Sequence, residues 1–299
     1  MRKVLIFLTA MCLSLGILGQ GIAQAQQLEY GKLYSVKDGM SADDVMRIVY
    51  HNKYSLFAQD YNLPKTTIVY VAKDGFTRTK EAIRQRIIKA GDAGMSYKDI
   101  VLVTYPTQTK GLAVLTWTYE DASRDQDTWL WIPALKKVRK VSASESDDAF
   151  MGSDFTVEEV STRQFDDETY TLVGTKEFPG YTFEQTKEVL FKGAQCFVIE
   201  AVPKKPHWYY SKRIVWVDKK TGGNILDEYY DKNGKLFKTL FREWTIYKPE
   251  TKNYPRQQRL ECKDLRTGHR TVILNENEEY DVGLDENLFS EKRLERMKW

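Results

Sequence analysis

The stretch "WLWIPALKKVRKVSASESDDAFMGSDFT", residues 129–156, decides how the chain folds. Trp129 and Trp131 alternate with Leu130 and Ile132, so a short strand is apolar on both faces, and Pro133 ends it. Lys136, Lys137, Arg139 and Lys140 begin the next strand, a serine and acid run follows, and Phe150, Met151 and Phe155 gather around Gly152. A half-solvated antiparallel strand alternates apolar with polar residues, so a strand apolar on both faces is covered on both sides. The cover is either protein on each side, or protein on one side and a ligand on the other.

The same signature continues outward. Leu112 and Val114 back onto Ala113, Leu115, Trp117 and Tyr119, and Cys196, Val198 and Val202 back onto Phe197, Ile199 and Ala201. Strand-like runs recur from Thr66–Ala72 and Phe76–Lys89 through Thr128–Ile132 and Thr182–Phe191 to Leu236–Tyr247 and Arg270–Leu274. Turn residues such as Lys73-Asp74-Gly75 and Asp231-Lys232-Asn233-Gly234 separate them, and successive hairpins give an antiparallel meander. The fold class is mainly β (α+β). A sheet of this many strands curls, and a curled sheet has an inside. One helix precedes the strands: Ser41 caps it, Asp43 and Asp44 suit its positive end, and Val45, Ile48, Val49 and Asn52 share a face. Thr156-Val157-Glu158-Glu159 fits a capping box that starts a second, short helix.

Residues 1–25 carry Arg2 and Lys3, then an apolar run, then Ala23-Gln24-Ala25, the pattern of a cleaved export signal. Cleavage leaves 26–299 as one domain with 43 basic against 42 acidic residues. That balance gives no electrostatic reason to bind nucleic acid. Cys196 and Cys262 remain, and an oxidising compartment permits either a bridge or two buried thiols.

Catalytic patterns are missing. His51, His207 and His269 fall in unrelated contexts, and no H-E-x-x-H, C-x-x-C, G-x-S-x-G or phosphate-cradling loop occurs. Asp147, Asp148, Asp154, Glu158 and Glu159 form the densest carboxylate group, but the Phe150-Met151-Gly152 insertion spoils a calcium-loop spacing. No enzyme activity, metal or cofactor is expected.

"KGLAVLTWTYEDASRDQDTWLWIPALKKVRKVSASESDDAFMGSDFTVEEV", "SKRIVWVDKKTGGNILDEYYDKNGKLFKTL", "LRTGHRTV" and "VGLDENLFSEKRLER" resemble the outer-membrane lipoprotein-sorting, or LolA-like, family, over about Met40 to Arg296. The resemblance implies an incompletely closed antiparallel β-barrel with a few lid helices. It also implies a monomeric periplasmic carrier whose cavity shields acyl chains of a lipid or lipoprotein in transfer between envelope membranes. An inner-membrane transporter and an outer-membrane acceptor would be its partners. On that reading Trp117, Trp129, Trp131, Phe197 and Val198 are cavity candidates, and Phe150, Met151 and Phe155 form a flap. Lys136, Lys137, Arg139 and Lys140 meet a headgroup or a docking partner at the rim. The rival reading is a non-catalytic adaptor of an envelope transport assembly, binding a protein partner by the rim or the edge strands.

Overall fold

The computed structural model describes residues 28–29, 32–54, 58–92, 94–121, 124–141, 147–247 and 254–296; the expected export signal and the serine run at 142–146 lie outside them. Strands β1 (Asp60–Val71), β2 (Thr77–Asp92), β3 (Met95–Tyr105), β4 (Ala113–Tyr119), β5 (Asp127–Ile132) and β6 (Lys137–Val141) form one meander, each paired with the next. A second meander runs through β10 (Gln195–Pro203), β11 (Lys212–Asp218), β12 (Asn224–Tyr230), β13 (Leu236–Tyr247), β14 (Tyr254–Asp264) and β15 (Arg270–Glu276). β15 pairs antiparallel with β1 and joins the two meanders, β7 (Glu168–Glu177) flanks β10, and the short β16 (Glu279–Tyr280) also pairs with β1. Among the described residues the result is one 14-stranded antiparallel sheet with β6 and β7 as its two unpaired edges, an open barrel.

This order forces a crossing. The chain leaves β6 at one edge and must enter β7 at the other, and the described residues 147–167 lie between the two. The crossing contains a 3-10 turn at Phe150–Gly152, helix α2 (Val157–Val160) and a 3-10 turn at Phe165–Asp167. Thr156 caps α2 as the sequence predicts: its hydroxyl accepts from the Glu159 N–H, and the Glu159 carboxylate accepts from the Thr156 N–H at 2.8 Å.

Helix α1 (Ala42–Tyr54) opens with the reciprocal Ser41 and Asp44 hydrogen bonds that a cap requires. Its buried face, Val45, Met46, Ile48 and Val49, packs on Phe197, Ile199, Ala201, Val215 and Val217 of β10 and β11, on the same side of the sheet as the crossing. Beneath it lies a buried ionic chain in which Glu168 pairs with Arg213 at 2.6 Å, Arg213 with Asp227 at 3.3 Å, and Asp227 with Arg242 at 2.6 Å. Charges this deep need partners, because a lone one costs several kcal/mol, on the order of 3–5.

The outer side is covered twice. A 3-10 turn at Glu286–Phe289 leads into α3 (Glu291–Arg296), and Phe289 and Leu294 are buried against Leu115, Trp129 and Trp131. Glu286 anchors this segment to Lys89 and Lys98 at 3.0 and 2.8 Å. The run expected as one strand, Thr182–Phe191, is instead a separate hairpin of β8 (Tyr181–Phe183) and β9 (Glu188–Leu190). It turns because Lys187 adopts a left-handed φ of 61° and donates its N–H to the Phe183 carbonyl at 2.8 Å. The hairpin lies on β13, with Tyr181 stacked on Phe241 at 4.0 Å and Phe183 buried beside both Phe241 and Val272.

Cys196 and Cys262 are both free, buried in different clusters. Burial pushes the Cys196 thiol up to about 12 and the Cys262 thiol upward as well, so neither is a ready nucleophile.

Candidate functional site

The sheet bends around a cavity of about 460 Å³. Leu130 and Val141 from one meander line it together with Trp244, Leu260 and Ile273 from the other, and Lys53 and Tyr54 of α1 close one end. A volume of this size falls within the roughly 300–1,000 Å³ range of small-ligand sites.

Strand register gives the wall its chemistry, because neighbouring strands place register partners side by side on one face. Arg84, Val101, Val114 and Leu130 are successive partners across β2 to β5. Two residues along each strand, Arg86, Asp99, Thr116 and Thr128 form the adjacent row, which reaches Val141 on β6. All of these line the cavity. One row is thus largely apolar and the next is polar.

Arg84 and Arg86 converge on Asp99: Arg84 Nη2 and Arg86 Nε donate to its Oδ2 at 2.9 and 2.5 Å. Burial alone would raise the Asp99 pKa, but the two guanidinium groups outweigh it and hold the carboxylate below its usual range. Burial pushes the nearby Tyr61 phenol up to about 12, so it stays a neutral donor.

The flap roofs this wall. Phe150, Met151, Val157 and Val160 face the cavity. The Met151 carbonyl accepts from Lys80 Nζ at 2.9 Å and from the Tyr70 hydroxyl at 3.2 Å, so β1 and β2 hold the flap at one point. Met151 (φ 51°) and Gly152 (φ 75°) are consecutive left-handed residues, which turns the carbonyl toward these donors. Phe155 differs from its two companions. It is 1% exposed and plugged between Tyr229, Leu240, Cys262 and Ile273, so it anchors the flap and does not line the cavity.

The five residues expected in the cavity lie elsewhere. Trp117, Trp129 and Trp131 occupy the alternate positions of β4 and β5 and face outward into the cluster under the C-terminal segment, where the Trp117 indole donates to the Phe289 carbonyl at 3.0 Å. Phe197 is buried beneath α1. Val198, the register partner of Trp216, lies on the opposite face of β10 from Phe197. The cavity uses instead the other face of the same strands: Val114, Thr116, Thr128 and Leu130. Two threonines among apolar neighbours were the available signal, since a face packed wholly on protein has little use for them.

The four cations lie along one lip. Lys136 ends the turn after Pro133 with a φ of 50°, and Lys137, Arg139 and Lys140 are exposed on edge strand β6. Lys140 pairs with Asp127 at 2.6 Å. Within the carboxylate group Asp154 accepts from the Thr271 hydroxyl, Glu158 pairs with Arg163, and Glu159 pairs with Lys238 at 2.7 Å. Among the described residues no group of His, Cys, Asp and Glu is placed to hold a metal, and no helix is long and apolar enough to cross a membrane.

A family model with the description "-like: Uncharacterized protein" matches residues 96–296. No curated protein matches the chain. Among solved structures it is similar to a DUF1329 family protein from Desulfovibrio piger, at TM-score 0.70 and 25% identity over 85% of this chain and 97% of that one. It is also similar to a domain from Vibrio parahaemolyticus described as outer membrane lipoprotein-sorting, at TM-score 0.65 and 24% identity over 79% and 92%. A LolA superfamily protein from Nitrosomonas europaea aligns at TM-score 0.57 and 16% identity over 85% and 99%. The last two likenesses concern the fold.

Proposed function

The chain belongs to the family whose model is described only as "-like: Uncharacterized protein" and its fold is LolA-like; from this premise we propose that it is a non-enzymatic periplasmic carrier for acyl chains of a lipid or lipoprotein. One observation carries the reading: an open sheet leaves a cavity of about 460 Å³ between its inner face and a flap tied at the Met151 carbonyl and anchored beyond it by Phe155 and Asp154. Each buried methylene is worth about 0.8 kcal/mol, so a sixteen-carbon chain resists leaving a membrane by roughly 13 kcal/mol. A wall bearing Val101, Val114, Leu130 and Ile273 offsets part of that barrier, and the polar row beside it keeps binding loose enough for delivery. Residues 1–25 act as the export signal in this proposal, and the donor and acceptor are an inner-membrane transporter and an outer-membrane site.

The test is organic extraction of protein purified from its native envelope, followed by mass spectrometry, and rebinding of a fluorescent acyl probe after delipidation. Bound lipid and saturable probe binding are expected. Absence of both rejects the carrier.

Leu172 and Val173, 41% and 51% exposed on the unpaired edge β7, favour the second reading, an adaptor that adds a partner strand at that edge. A proline at Val173 that abolishes partner capture while acyl binding persists would select it.

A further inference from the structure

The cavity wall holds a charge that an acyl chain does not use. Two arginines, Arg84 and Arg86, share the single carboxylate of Asp99, which leaves one positive charge unmatched. Among the described residues the other charged groups at the cavity are two one-to-one pairs, Arg256 with Glu278 and Glu159 with Lys238, each at 2.7 Å, and the exposed carboxylate of Asp148 at the flap. Lys53 also reaches the cavity, but burial and then the charge of Arg242 hold its pKa well below the lysine range. The positive charge in excess of its own carboxylate, deep in the wall, is the arginine pair's.

Arg86 is 8% exposed, its guanidinium lies 3.8 Å over the Tyr97 ring, and its Nε is the atom bonded to Asp99. Its two Nη groups donate to no described residue, although Arg86 lines the cavity. A guanidinium offers five N–H donors in a planar fork suited to a carboxylate or phosphate. The fork stands at the start of the polar row, and one register step away Val101, Val114 and Leu130 lead toward the flap.

Resting on the carrier reading, we propose that the cavity selects an amphiphile with an anionic group, carboxylate or phosphate, seated on Arg86 and Arg84 while its acyl chain lies over Val101, Val114 and Leu130 beneath Met151. The cargo therefore enters with a fixed orientation. Neutral lipids of equal chain length bind the same wall without that anchor.

The experiment uses the delipidated full chain with cis-parinaric acid and its methyl ester, followed by fluorescence. The acid is expected to bind roughly tenfold or more tightly than the ester, the scale of one charge-assisted hydrogen bond. Arg86→Met leaves Arg84 and Asp99 as a neutral pair and brings the acid-to-ester ratio near one, and Arg86→Lys restores a preference. Arg84→Met gives the same collapse, should Arg86→Met fail to fold. Excess inorganic phosphate is expected to bring the acid's affinity down toward the ester's and to leave the ester bound, because both anions compete for the two arginines. An acid preference that is unchanged when phosphate occupies the arginines means that the carboxylate sits elsewhere, which overturns the proposal. Equal affinity for acid and ester in the unaltered protein also overturns it and leaves the carrier reading standing. Failure of both probes to bind overturns the carrier reading and this proposal with it.

Discussion

Lys80 Nζ, on β2, donates to the carbonyl of Met151 at 2.9 Å and ties the sheet to the segment that crosses it. The Tyr70 hydroxyl adds a second bond to the same oxygen. Between them they hold the Met151 end of the cavity's roof, and bonds of this kind contribute about 1 kcal/mol each, or up to about 3 when one partner is charged. Lys80→Met with Tyr70→Phe is expected to raise the dissociation rate of a bound acyl probe by about tenfold or more, measured by stopped-flow transfer to vesicles. An unchanged rate would show that the flap is held elsewhere.

The two faces of β4 and β5 make opposite predictions. Trp129 is 8% exposed in the cluster with Phe289 and Leu294, so Trp129→Ala is expected to lower stability by about 3–5 kcal/mol in chemical unfolding while the folded fraction still binds probe. Val114 faces the cavity, so Val114→Trp fills vacant space. It is expected to abolish probe binding with a midpoint of unfolding close to the parent's. If Trp129→Ala removed binding and Val114→Trp did not, the assignment of faces would be reversed.

These two strands also show where the sequence stops being informative. The helix after Ser41, the capping box at Thr156 and the hairpin punctuation follow from local chemistry, and each forms as expected. Long-range order has no local signal. Nothing near β1 announces that it pairs with β15, about two hundred residues away, and the crossing from β6 to β7 follows only once that order is known. Both faces of β4 and β5 are apolar, so patterning marks them as doubly covered without saying which cover is protein. The bulkier face is the packed one, because Trp117, Trp129 and Trp131 fill volume under the C-terminal segment. Phe150 and Met151 line the cavity, whereas Phe155, equally apolar, is a plug. Arg84 and Arg86 went unnoticed because two cations at alternate positions read as a solvated strand face until Asp99 is placed beside them.

Glu168 sets an acid limit. Burial would raise its pKa, but Arg213 and the Tyr210 hydrogen bond prevail and pull it from 4.5 down to about 2. A depressed folded pKa gives stability that is complete above the unfolded value and is lost as pH falls through the folded one. The window is therefore pH 4.5 to 2, and the loss is on the order of 3 kcal/mol. Asp227 is lowered in the same sense by Arg242 and Arg213 against its own burial, whereas burial raises Glu158 and gives it the opposite slope. Comparison with Glu168→Gln isolates the term: denaturant titrations across this window are expected to show a shallower decline in the variant. Parallel curves would mean that Glu168 carries no linkage.

The cations of the β6 lip separate transfer from storage. Lys136, Lys137 and Arg139 border Val141, the last wall residue, and lie far along the sheet from Glu168 and α1. An anionic membrane attracts each surface cation by about 1 kcal/mol, an attraction that salt screens. Reversal of these three to Glu is expected to slow probe delivery to anionic vesicles by about a hundredfold or more at low salt. Delivery to zwitterionic vesicles and equilibrium probe affinity should be preserved, and the difference should shrink as ionic strength rises. Lys140 is left in place so that its bond to Asp127 on β5 is kept. Slowing that is equal for both vesicle types would mean that the lip touches the cargo. Unimpaired delivery together with loss of a captured protein partner would make the lip a docking surface for that partner.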